Sequence, residues 1–219
     1  MNMRAALCSV GRWFLGLFVA GVGTSPALGQ IIINQSQAPS ALVQSVLMGP
    51  GVYASNITYN GTPGNFPAPV GVGPSEIGRF NGSNTSLGIP SGIFLCTSVA
   101  MAHIPGPNDG LQLHGGGIGA AQGIQTPDID LGQVTGNPNW QATGGSNIYN
   151  KSILEFDFVP MKDMVSFRYV FSSEEYERWA CSQYNDVFAF LLSGPGISGP
   201  FTNNAMNIAY LPGSMSWVS

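Results

Sequence analysis

Apolar and polar positions alternate with a period of two through Leu154, Phe156 and Phe158, and again through Val165, Phe167 and Tyr169. Strict alternation marks strands with one buried face. Pro160, Met161, Lys162 and Asp163 join the two runs, an ordinary length for a hairpin loop. Setting Val159 opposite Met164 aligns Phe156 with Phe167, Phe158 with Val165 and Leu154 with Tyr169. On the other face the same register opposes Glu155 and Arg168, an opposite-charge pair contributing roughly 0.2–1 kcal/mol. A one-residue slip would turn the aromatics to solvent, so the pattern predicts a fixed register. Val187 to Leu192 is apolar at every position and reads as a central strand covered on both faces.

Upstream, Ser40 to Met48 has helical spacing at Leu42, Val46 and Leu47, with Ser40 as the expected N-cap and Gly49-Pro50-Gly51 as the stop. Strands are expected over Val52 to Tyr59, Ile77 to Phe80 and Ile93 to Ser98, with a Gly/Pro-rich loop over Asn60 to Gly73. Pro105 to Asn150 is mostly Gly, Pro, Asn and Gln, a long excursion with one short strand expected near Ile129 to Val134. Ser172 and Glu175 fit a capping box opening a short helix or an Ω-like loop through Tyr184. These elements predict a mainly β fold, an antiparallel β-sandwich or jelly-roll with one or two short helices and a long Gly/Pro-rich loop.

Residues 1–29 read as a signal peptide. Arg4 and Arg12 give a basic start, Trp13 to Val22 an apolar run, and Ala27-Leu28-Gly29 a small-residue cleavage pattern. The apolar run is too short to span a bilayer, which needs ~20 residues. Cys8 precedes the apolar run and is poorly placed for lipidation. Residues 30–219 then form one domain carrying Arg79, Lys151, Lys162, Arg168 and Arg178 against all eleven acids, a formal charge of −6. With no basic patch, neither nucleic acid nor an anionic membrane surface is an expected partner. An extracellular protein or a glycan is.

Two cysteines follow the leader, Cys96 and Cys181, and export makes a bridge between them a candidate alongside two buried thiols. His103 and His114 belong to no metal-ligand pattern, and no serine sits in a GxSxG elbow. The glycine run after His114 lacks the lysine of a phosphate-binding loop. Asp128 and Asp130 are expected to share one strand face, while Glu174, Glu175, Asn185 and Asp186 cluster around the acidic connector. Calcium takes several oxygen ligands of this kind, which makes those four its candidate ligands. The competing reading, solvated and capping carboxylates with no cofactor, is preferred. No spacing singles out the carboxylate pair a glycosidase requires. The Asn-x-Ser/Thr matches at Asn34, Asn56, Asn60, Asn81, Asn84 and Asn150 are common in such a composition and carry no assigned role.

The run Leu154 to Pro160, then Ser166 to Phe171, Ser173 to Tyr176, Asn185 to Phe188, Ser193 to Ile197 and Asn207 to Ala209 resembles the choice-of-anchor L domain of bacterial surface and secreted proteins. Gly51-Val52, Gly92-Ile93, Gly106-Pro107-Asn108 and Asp128 with Asp130-Leu131 extend the resemblance upstream. It implies a secreted or cell-surface module without catalytic residues, normally part of a larger protein, and a chain ending before the domain's last strands. The expected function is therefore adhesion or interaction. The alternative is a carbohydrate-binding or glycoside-hydrolysing domain using Trp140, Trp179 and carboxylates.

Overall fold

A computed structural model describes residues 1–8, 30–49, 51–64, 76–97, 128–134, 148, 151–172 and 187–210. The described strands are β1 (Asn2–Cys8), β2 (Ile32–Asn34), β3 (Ala54–Tyr59), β4 (Thr62–Pro63), β5 (Ile77–Asn81), β6 (Ser91–Leu95), β7 (Lys151–Phe158), β8 (Val187–Ser193) and β9 (Met206–Asn207). Two short α-helices lie among them, α1 (Pro39–Leu42), which runs on into a π turn over Val43–Leu47, and α2 (Ile129–Val134), with a 3-10 turn over Thr202–Asn204. Six strands form one sheet in the order β4-β3-β7-β1-β8-β9, and three form another in the order β2-β5-β6. Every recorded pairing is antiparallel. The expected mainly β, antiparallel class with few short helices is what the chain adopts.

β7 is an inner strand of the larger sheet, and its sequence explains why. Ile153 faces one layer while Leu154, Phe156 and Phe158 face another, all of them buried. The Phe156 side packs with Leu42 and Val43 of the first helical segment, Tyr59 of β3 and Ile77 of β5, so residues of both sheets share one cluster. The Ile153 side meets Leu131 and Val134 of α2 together with Val187, Ala189 and Leu191 of β8. β8 is buried on both faces as its unbroken apolar sequence requires, and its other face presents Phe188 and Phe190. Burying a side chain such as Phe156 or Leu191 contributes about 1.5–3 kcal/mol, and β7 and β8 supply several such side chains.

Asn60 and Gly61 both take positive φ between Tyr59 and Thr62, the two-residue turn that closes a hairpin between β3 and β4. A register shift between Ser55 and Thr58 bulges β3, and Asn56 adopts φ 50° there. Its side-chain amide donates to the Asp157 carboxylate at 2.6 Å, holding the bulge against β7.

Three local expectations are corrected. The partner of β7 is not the run Val165 to Tyr169. β1 lies there instead, with Met3 opposite Phe156, Arg4 opposite Glu155 and Ala5 opposite Leu154. Val165 to Phe171 forms no strand, and the Arg168 guanidinium donates to the Gly88 carbonyl at 3.5 Å rather than facing Glu155. Ile129 to Val134 is a helix, because Asp128 accepts from the Leu131 amide at 3.1 Å and caps its first turn. The first helix starts after Ala38, which makes no side-chain cap, with Pro39 in its opening turn, and Ser40 lies inside it.

Candidate functional site

Three groupings of polar or aromatic side chains stand out among the described residues. The first lies where β3, β7 and the start of β5 meet. β7 turns Ser152 inward, wholly buried, and β3 ends on Tyr59, 4% exposed. Their hydroxyls share a hydrogen bond of 2.9 Å, and the Tyr59 hydroxyl donates to the Glu76 carboxylate at 3.3 Å. Burial pushes the Tyr59 hydroxyl well above its ordinary value, and the Ser152 hydrogen bond only partly opposes this. Burial also pushes the Glu76 carboxyl up, opposed by the bond from Tyr59. A phenol held protonated in this way is a fixed donor, suited to bracing two strands and unsuited to nucleophilic work at neutral pH.

The second grouping surrounds α2. Asp128 and Asp130 are both buried, 8% and 4% exposed. Asp128 caps the helix with one oxygen and takes an ion pair from Lys151 at 3.5 Å with the other. Asp130 accepts from the amide and the hydroxyl of Thr202, at 3.0 and 2.9 Å, which ties α2 to the turn preceding β9. The two acids therefore act in different directions, unlike the common strand face expected of them. No group of three or more metal-ligating side chains occurs among the described residues.

The third grouping is aromatic. Phe167, Tyr169 and Phe171 lie over the Phe188 and Phe190 face of β8. Phe167 meets Phe190 at 4.6 Å between ring centroids, and Tyr169 reaches Phe190 at 5.2 Å and Phe188 at 5.4 Å. Phe171 meets Phe188 at 5.4 Å. The segment that carries these rings also exposes Met164, Val165 and Val170, the first of them at 81%.

Asparagines contribute structure that the sequence left unassigned. Asn34 accepts from the Ser36 amide and hydroxyl, and Asn81 accepts from the Ser83 amide, so two of the Asn-x-Ser matches are side-chain-closed turns. Asn60 accepts from the Ile153 amide. Asn207, 1% exposed, accepts from the Phe190 and Ala209 amides, while its Nδ2 has no hydrogen-bond partner. Turn-forming Asn-Gly and Asn-x-Ser spacing was the signal available for most of these.

The candidate calcium ligands Glu174, Glu175, Asn185 and Asp186 lie outside the described residues, as do Cys181, both histidines, Trp140 and Trp179. Cys96 is described and buried, 3% exposed. No described helix is long and apolar enough to cross a membrane.

No significant match is found among curated proteins or among solved structures. The description of the choice-of-anchor L domain, in contrast, matches residues 31–219, which takes in every described element except β1. The chain therefore belongs to the choice-of-anchor L domain family, a kind of bacterial surface or secreted module.

Proposed function

We propose that the chain is a non-catalytic module, exported by residues 1–29, that works by adhesion to or interaction with an extracellular protein or glycan. The observation that carries this reading is how the buried polar groups are used. Tyr59, Ser152 and Glu76 bond to one another, Asp128 caps a helix and pairs with Lys151, and Asp130 fastens a turn. Each of these groups has a structural partner that accounts for its burial. Family membership supports the surface or secreted setting.

Binding and turnover separate the readings. The full chain, immobilised and exposed to arrays of glycans and of extracellular-matrix proteins, is expected to show saturable binding, and a panel of glycosides is expected to remain intact. Hydrolysis of a glycoside that disappears in Asp128→Asn or Asp130→Asn would overturn the proposal. Fusing residues 1–29 to a reporter enzyme is expected to carry that reporter out of a bacterial cytoplasm, and retention inside would remove the export claim.

A further inference from the structure

The strand order raises a question of occupancy. β1 is antiparallel to both β7 and β8, so those two strands run parallel to each other with a single-strand slot between them. β1 fills that slot, yet it lies outside the matched domain, which begins at residue 31. It also lies in the segment whose pattern is that of a removable leader. With β1 absent, a strand antiparallel to β7 would restore the sheet in the order it has here.

One segment meets the requirement. A strand following β7 through a tight hairpin is antiparallel to it, and Val165 to Ser172 is the first sequence available after the loop. Written against β1 it reads VSFRYVFS beside MNMRAALC. Met1 corresponds to Val165, Met3 to Phe167, Arg4 to Arg168, Ala5 to Tyr169 and Leu7 to Phe171. The apolar positions of the inward face coincide, and Arg4 lies opposite Glu155, where the hairpin register would put Arg168. Both segments thus specify the same register from the same alternation.

The geometry above the slot agrees. In the β1 pairing, Ala5 is the register partner of Phe190 and Leu7 that of Phe188. The rings of Tyr169 and Phe171, their counterparts, already contact Phe190 and Phe188 from the face of the sheet. Val165 to Phe171 lies beside β8 in the order it would take within the sheet, but without strand pairing and with Val165, Phe167 and Val170 at least 40% exposed. We propose that β1 and Val165–Ser172 are alternative occupants of the slot between β7 and β8. β1 holds it in the full chain, and Val165–Ser172 enters it when β1 is withdrawn. The leader then acts as a placeholder that keeps the β7 hairpin unformed until export.

Backbone hydrogen exchange on the full chain tests this, because strand pairing protects amides that a surface-lying segment leaves open. In the unaltered chain, residues 2–8 are expected to be protected and Val165 to Ser172 to exchange freely. Ala5→Pro removes a ladder donor from the middle of β1. In that variant Val165 to Ser172 should gain the protection of β7 and β8 while residues 2–8 lose theirs. Tyr169→Pro alone should change nothing in the slot. Combining both prolines should strip protection from the β7 amides that face it. As a second readout, Glu155→Cys with Arg168→Cys should form a mapped intrachain disulfide in the Ala5→Pro background and not in the unaltered one. Free exchange at Val165 to Ser172 in Ala5→Pro would overturn the proposal. So would an unfolded Ala5→Pro chain, or a disulfide that links two chains.

Discussion

Removing the Tyr59 hydroxyl by Tyr59→Phe isolates one buried polar contact without opening a cavity, since the ring stays in its place between β3 and β7. The hydroxyl has two partners with unequal access to replacement. Glu76 is only partly buried, so water takes over its lost bond. Ser152 is fully buried and has no such recourse. Leaving a buried donor or acceptor unsatisfied costs about 1–3 kcal/mol, whereas the net contribution of a typical hydrogen bond is about 0.5–1.5 kcal/mol. Tyr59→Phe is therefore expected to destabilise by about 1–3 kcal/mol. Ser152→Ala should cost less, because Tyr59 keeps Glu76 as acceptor. The double variant should cost less than the sum of the two, with a coupling on the order of 1 kcal/mol. Urea denaturation followed by circular dichroism measures all three, with an unchanged slope showing that the unfolded state is unaffected. Strict additivity, or a Tyr59→Phe effect below about 0.5 kcal/mol, would refute the role given to this hydroxyl.

Asp128→Ala should cost about 0.5–2 kcal/mol through the lost cap on α2, while Asp128→Asn, which caps equally well, should recover most of it; chemical denaturation of both variants checks this. Glu76 is raised on folding by burial, so its contribution to stability is full below its ordinary value near 4.5 and is lost as pH rises through the folded value. Glu76→Gln should flatten that decline in a pH series of melting temperatures, and an unchanged profile would remove the assignment. Calcium is expected to leave the melting temperature of the full chain unchanged. A calcium-dependent rise abolished by Asp186→Ala would instead establish a metal site on the acidic connector.

The inner strands were legible because their patterns admit one placement. Val187 to Leu192 is too apolar to face water on either side, and Leu154, Phe156 and Phe158 cannot slip register without exposure. The neighbour of β7 was not legible, for a reason visible in the residues. MNMRAALC and VSFRYVFS carry the same alternation with arginine at the same position, so pattern alone cannot choose between them. α2 stands where a short strand is expected. Six residues are too few for periodicity to decide, and the decisive feature was the capping oxygen of Asp128. The Asn60-Gly61 hairpin was hidden inside a run read as loop, although Asn-Gly is a strong turn signal. The Asn-x-Ser matches concealed turn chemistry in the same way. Of the candidate site, the aromatic alternation was readable, whereas the Tyr59–Glu76–Ser152 contact joins residues far apart in sequence and left no local trace.

β7 and β8 are the inner strands of the large sheet around which both apolar layers assemble. Residue-resolved hydrogen exchange on the full chain under native conditions tests that most directly. The slowest amides are expected within Ile153 to Phe158 and Val187 to Leu192, exchanging only through global unfolding. Exchange in these two strands as fast as in the exposed loop around Met161 and Met164 would contradict it.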